Sequence, residues 1–426
     1  MKYEIKNNRL YFDGCDTVEL AKKYGTPSYI VSKTEIKERF EQLRECFLDK
    51  YENTRVAYAA KAFFSIAMAK FVSEEGMCVD VVSGGELYTA IKAGFPAERI
   101  EFNGNNKLKN EIESAIDYGV GRIIIDGTNE LDMIESYCKE TGKKAKVLYR
   151  ITPGVKSSSH DYIVTGKKDS KFGIPLDDEI IMPAVKRAMD SDFVELLGFH
   201  FHVGSQLFEN VPYLKATDIV LELLDKLNEA YGFVPLELNV GGGFAVTYIN
   251  EERPPYDFFL DPIMKKIECY FEQKNINRPA VVIEPGRSIV AEAGLTLYTA
   301  GSIKTIPGIR KYLAVDGGMT DNIRPALYQA EYRCYVANKA GEKPYDEVTV
   351  CGKCCESGDV IIKDAILPKA ESGDIIAVLA TGAYGYSMAS NYNKMPIPPV
   401  IFVEKGESKL IVKRQSYDDM LSNDVI

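Results

Sequence analysis

Lys61, a run of glycines at Gly241–Gly243 and Glu284 each follow a short apolar stretch of this 426-residue chain. Lys61 closes "RVAYAAKA", the glycines close "LELNVGGGF", and Glu284 with Arg287 closes "AVVIEPGR". A lysine at an apolar mouth is desolvated, which lowers its pKa and favours imine formation with an aldehyde. Glycines after a strand offer backbone N–H groups to a phosphate, with Arg287 near in sequence to add charge. A carboxylate such as Glu284 can bind a protonated heterocycle. Together these groups describe a pyridoxal phosphate (PLP) site. Each also has a plain reading: a solvated charge, a tight turn, a surface acid.

These residues have to be positioned by strands. Eight β-branched runs, near 55–62, 78–85, 100–105, 122–127, 146–154, 196–205, 236–244 and 280–287, alternate with helical patterns that stop at glycine. Strands apolar on both faces, alternating with helices, predict a closed parallel (β/α)8 barrel of the TIM type. Its active face lies at the C-terminal strand ends, which here carry Lys61, Asp80, Asn103, His202, the glycine run, Glu284 and Arg287. A doubly wound open sheet would show G-x-G-x-x-G after its first strand, and none is there. Beyond about residue 290 the pattern turns to strands joined by Gly, Pro and Asp turns, as in "DEVTVCG" and "DIIAVLATG". Residues 33–288 are therefore expected to form the barrel. Residues 289–426 are expected to form an all-β domain, Greek-key or sandwich-like, joined by the N-terminal strands in 1–32.

Composition narrows the partners. A formal net charge of −10 with mixed signs argues against nucleic acid or an anionic membrane. No apolar run is long enough to span a bilayer, and no secretory signal opens the chain. Nine cysteines, mostly scattered, suit a reducing cytoplasm. Three of them crowd into "CGKCCESGD" at 351–359. A structural zinc site would need a second ligand pair, and none follows. The only histidines are His160, His200 and His202. The last two, spaced i, i+2, point the same way on a strand. As a metal pair they lack evident carboxylate ligands; an imidazole over a cofactor ring fits better, with Ser205 as a phosphate donor. No metal is expected.

The motifs "YAAKA", "GFHFHVGSQ", "NVGGGF", "EPGR", "CESGD" and "GAYGYSMASNYN" resemble, in that order, the fold-type III PLP-dependent decarboxylases. Within that group, "RITPGVKSSSHDYIVTGKKDSKFG" at 150–173 and "DGGMTDNIRPALY" at 316–328 resemble the diaminopimelate decarboxylase family. The resemblance implies PLP-dependent decarboxylation of meso-diaminopimelate to L-lysine and CO2, the last step of lysine biosynthesis. It implies that Lys61 forms the internal aldimine and His202 stacks on the ring beside His200. Asp80, Ser205, Gly242, Gly243, Arg287 and Tyr384 would line the cofactor, with Glu284 on the pyridinium nitrogen. Arg287, Arg324, Tyr328 and Tyr384 would hold substrate carboxylate, and Glu356 the distal ammonium. Cys355 and Glu356 would come from the other subunit of a homodimer with shared sites. Cα protonation would fall to Cys355 or Lys61.

The chain departs from the family pattern at Lys353, where proline is usual, at Thr320, and in the additional Cys351 and Cys354. Three other readings compete: a decarboxylase of ornithine or arginine type, a non-catalytic PLP-binding relative, and a zinc barrel.

Overall fold

A computed structural model describes residues 1–155 and 170–425. The stretch 156–169 of the "RITPGVKSSSHDYIVTGKKDSKFG" motif, with His160, lies outside them. The chain divides into two units: Phe40–Ala245 with Arg253–Gly286, and Met1–Arg39 with Val246–Glu252 and Arg287–Ile426.

The first unit is the predicted barrel. Strands Thr54–Ala59, Cys78–Val81, Ile100–Phe102, Arg122–Ile125, Ala145–Thr152, Val194–His200, Glu237–Asn239 and Ala280–Ile283 pair in parallel in chain order. The eighth returns to the first, with Ile283 opposite Val56, so the sheet has no open edge between them. Five fall within the runs marked by sequence, and the strands from Thr54, Ala145 and Val194 start one or two residues earlier. Local chemistry sets the helix limits. Ser65 and Ser83 cap helix starts by accepting from the amides of Met68 and Glu86. Gly94 and Gly119 end helices in the left-handed conformation that glycine adopts without strain. The floor is unusual, because strands one, three, four and seven bring Arg55, Glu101, Arg122 and Glu237 together among the apolar layers.

The second unit is built on the long strand Gly294–Ile306. It pairs antiparallel with Ser28–Ser32, Arg310–Val315 and Ile375–Leu379. The sheet is mixed, since Ser28–Ser32 runs parallel to Val400–Glu404 and Arg310–Val315 runs parallel to Asp346–Cys351. A smaller sheet of Tyr3–Lys6, Arg9–Phe12 and Cys15–Asp16 buries Leu10 and Phe12 in the same core as Leu295, Leu297, Ala377 and Ile401. The N-terminus is thus part of this unit, as the strand–turn–strand pattern suggested. Val246–Glu252 joins it through a loop closed on itself, in which Glu251 accepts from the amides of Tyr248 and Ile249 at 3.0 and 2.7 Å. No periodicity marks that segment in the sequence.

Phe12 is fully buried and anchors the small sheet. Phe12→Ala should cost about 3–5 kcal/mol in chemical denaturation. A loss under about 1 kcal/mol would mean that the N-terminal sheet is not part of the cooperative core.

Candidate active site

In the barrel unit, the strand ends gather around Glu284. This carboxylate is 6% exposed, and His200 Nε2 lies 3.0 Å from it. Asn239 Nδ2 donates to its Oε1 at 2.8 Å and Asn103 Nδ2 at 3.4 Å. Burial alone would push the Glu284 pKa up, but His200, Lys61 and His202 outweigh it and hold it down, at about 2. The opposite holds for Asp80, which is fully buried. Burial first and repulsion by Glu284 second push it up to about 8. One acid is thus kept charged and its neighbour kept protonated at neutral pH.

Both strand-six histidines are held neutral, chiefly by burial. His200 ends its strand fully buried, and facing a carboxylate makes Nε2 the protonated nitrogen. His202 lies just beyond the strand and accepts from the Gly242 amide at Nδ1, 3.2 Å away, so its proton also sits on Nε2. The glycine run is braced on every side. Gly241 N donates to Asn239 Oδ1 at 2.9 Å, and Gly241 O accepts from the Glu284 amide at 2.9 Å. The hydroxyl of Tyr213 donates to Gly242 O at 3.0 Å. A Cβ on Gly242 would lie 2.0 Å from the Glu284 carbonyl, and one on Gly243 (φ +108°) 2.1 Å from the Gly204 carbonyl. No side chain fits there, so the run presents backbone alone. Ser205 lies half-buried on the loop after strand six.

Lys61 corrects an expectation. Its side chain is exposed, not desolvated, because it leaves strand one on the short turn Ala60–Ala62 between two buried alanines. Its positive charge still reaches Asp80, Glu284 and His202.

In the other unit, Arg287 and Arg324 are 7% and 6% exposed and share a phenol. Their Nη1 atoms donate to Tyr248 Oη at 2.7 and 2.9 Å, and Arg324 also donates to Tyr332 Oη at 2.5 Å. Burial works to raise the Tyr248 pKa, but the two guanidinium groups overcome it and bring it below its ordinary value. The Tyr384 ring lies 4.9 Å from the Arg287 guanidinium, a cation–π distance, with φ +59° at Tyr384. A bulky residue in that region is strained, and such strain persists where surroundings fix it. Arg324 opens the helical turn Arg324–Tyr328, which ends at half-buried Tyr328. Among the described residues Arg324 has no carboxylate partner; its hydrogen bonds go to phenols. A buried guanidinium so placed is a receptor for an anion such as carboxylate.

Cys355 and Glu356 are exposed on a loop of the same unit. Buried Asp359 shapes this loop by accepting from the amides of Cys354 and Met319 at 2.8 and 2.6 Å. Cys354 is buried with its sulfur 3.5 Å from that of Met395, Cys351 is half-buried, and Lys353 is exposed. Among the described residues no group of three or more His, Cys, Asp and Glu could hold a metal ion. Tyr248, Tyr332 and Asn239 escaped the sequence reading. The first two lie on irregular segments, and Asn239 ends strand seven two places before the glycines.

The barrel residues fit pyridoxal phosphate: an anionic acid for a protonated ring nitrogen, a side-chain-free backbone loop for a phosphate, and an amine for an aldehyde. Comparison with known proteins points the same way. Residues 33–291 match the family model described as "Pyridoxal-dependent decarboxylase, pyridoxal binding domain". The chain is 47% identical to the diaminopimelate decarboxylase of Bacillus subtilis (strain 168), over 99% of this chain and 96% of that one. It is 42% identical to that of Staphylococcus aureus (strain COL), over 100% and 99% of the two chains. The crystal structure of the M. jannaschii diaminopimelate decarboxylase in complex with L-lysine superposes with a TM-score of 0.93, at 36% identity, over 100% and 98% of the chains. Similarity of this extent, from end to end and over both units, assigns the chain to the pyridoxal-dependent decarboxylases, and within them to the diaminopimelate decarboxylase family.

Proposed function

We propose that the protein decarboxylates meso-diaminopimelate to L-lysine and CO2, closing lysine biosynthesis, as a cytoplasmic homodimer with shared active sites. The observation that carries the substrate assignment is Arg324, a buried guanidinium hydrogen-bonded, among the described residues, to phenols. Diaminopimelate has a second amino acid group, and its distal carboxylate supplies the anion that this receptor lacks. Monocarboxylate substrates such as ornithine would leave a buried cation unpaired, which costs affinity.

Bound pyridoxal phosphate supplies an electron sink for the pair left on Cα when CO2 departs. The chain's residues do the rest. Lys61, exposed at its turn, would supply the amine that holds the cofactor. Glu284, kept anionic in a buried setting, holds a proton on the ring nitrogen and so keeps the sink strong. Asp80 would line the cofactor as a neutral acid, and His202 would serve as a neutral imidazole beside its ring. Gly242, Gly243 and Ser205 would take the phosphate; the family resemblance also gives Tyr384 and Arg287 a share in holding phosphate and substrate carboxylate. Tyr328 assists Arg324.

Cys355 and Glu356 act on the partner's substrate, the thiol as a proton donor to Cα and the carboxylate as a clamp on the distal ammonium. Their exposure supports a role outside their own fold, as does the Asp359 brace that fixes their loop. The nine cysteines are all free thiols, in keeping with a reducing compartment.

Arg324→Lys keeps the charge but loses the fork, so KM for meso-diaminopimelate should rise by about tenfold to a hundredfold with a smaller change in kcat. Equal turnover of ornithine and diaminopimelate by the wild type would overturn the substrate assignment. Lys61→Ala and Cys355→Ala should each be inactive alone. Mixed and allowed to exchange subunits, they should recover about a quarter of wild-type activity, since half the dimers then carry one intact site. No recovery, with exchange shown by mass, would contradict shared sites.

A further inference from the structure

The barrel floor carries charges that the reaction does not use, and burying them is costly unless each is paired. Arg55 pairs with Glu237, and Arg122 Nε lies 3.1 Å from Glu237 Oε1. Arg122 Nη1 also donates to Glu101 Oε1 at 3.0 Å. Barrel interiors are usually filled by layers of Val, Ile and Leu. A ladder of ions could serve only to fix strand register. One residue at its upper end argues for more.

Asn239, fully buried at the end of strand seven, uses both amide hydrogens and its amide oxygen. Its Nδ2 donates to Glu101 Oε2 at 2.9 Å and to Glu284 Oε1 at 2.8 Å. Its Oδ1 accepts from Gly241 N at 2.9 Å. The two carboxylates and the backbone N–H settle which end of the amide is which, because only the NH2 group can donate. A single side chain therefore ties together the acid of the site, the first residue of the glycine loop and the ion ladder beneath.

We propose that Asn239 is a positioning residue that sets Glu284 and the Gly241–Gly243 loop as one unit, with the Glu101–Arg122 pair fixing Asn239 in turn. The proposal rests on the reading that Glu284 and the glycine loop take the two ends of pyridoxal phosphate. Asp is the same size but cannot donate to either glutamate when ionised, and it adds a third carboxylate between them. The charged and titratable groups facing this point are Glu101, Arg122, Glu237, Glu284, His200, His202, Asp80 and Lys61. The carboxylates among them compete for protons with any carboxylate placed at 239, so the injury grows as pH rises and all become ionised.

The test uses full-length protein freed of cofactor and titrated with pyridoxal phosphate, each variant compared with wild type at the same pH. Asn239→Asp should bind about tenfold or more weakly near pH 8.5, with a clearly smaller ratio near pH 6. Asn239→Ser keeps one donated hydrogen and adds no charge, so it should lose less, by a ratio that does not vary with pH. It also carries the test if the Asp variant fails to fold. Unaltered affinity in either variant, or a loss in Asn239→Asp that is equal at both pH values, would overturn the proposal. A wild type that takes up no pyridoxal phosphate would instead overturn the cofactor reading beneath it.

Discussion

Glu284 is buried yet held ionised, and much of the barrel unit can be understood from how that is done. A lone buried carboxylate takes up a proton, as Asp80 does a short distance away. Glu284 avoids this by collecting hydrogen bonds from His200, Asn239 and Asn103, supported by the positive charge of Lys61. Each donor sits at a different strand end. The charge is therefore secure only when the barrel is closed, which links the chemistry of the site to the integrity of the sheet.

The other unit solves the converse problem. It buries the Arg287 and Arg324 guanidinium groups, and both donate to the phenol of Tyr248. Neutral partners keep the site cationic, and Tyr248, whose pKa they lower, is the meeting point of both. Had Asp or Glu stood at 248 or 332, the charge would have been cancelled from within.

Much of this was legible in the residues. The eight barrel strands declare themselves by short runs apolar on both faces, and the residues that close them fall on the active face by geometry alone. That rule reached Lys61, Asp80, His202, the glycines and Glu284. It could not reach Asn239 or Glu101, whose importance lies in contacts between strands 138 positions apart in sequence. Nor could it reach Tyr248 and Tyr332, which have no periodicity to mark them. The exposure of Lys61 was missed because the strand was read as running straight through to it, whereas the chain turns at Ala60. "CGKCCESGD" illustrates the limit from the other side. Its cysteines suggest metal by count, yet only their placement separates buried Cys354 from exposed Cys355.

The most direct measurement of the central claim is the rate of CO2 release from meso-diaminopimelate by the Glu284→Gln variant saturated with pyridoxal phosphate. Gln keeps the size and can still face a ring nitrogen, but it carries no charge to hold a proton there. The account predicts a fall in kcat of about a hundredfold or more with little change in KM. A variant that decarboxylates at nearly the wild-type rate would contradict it.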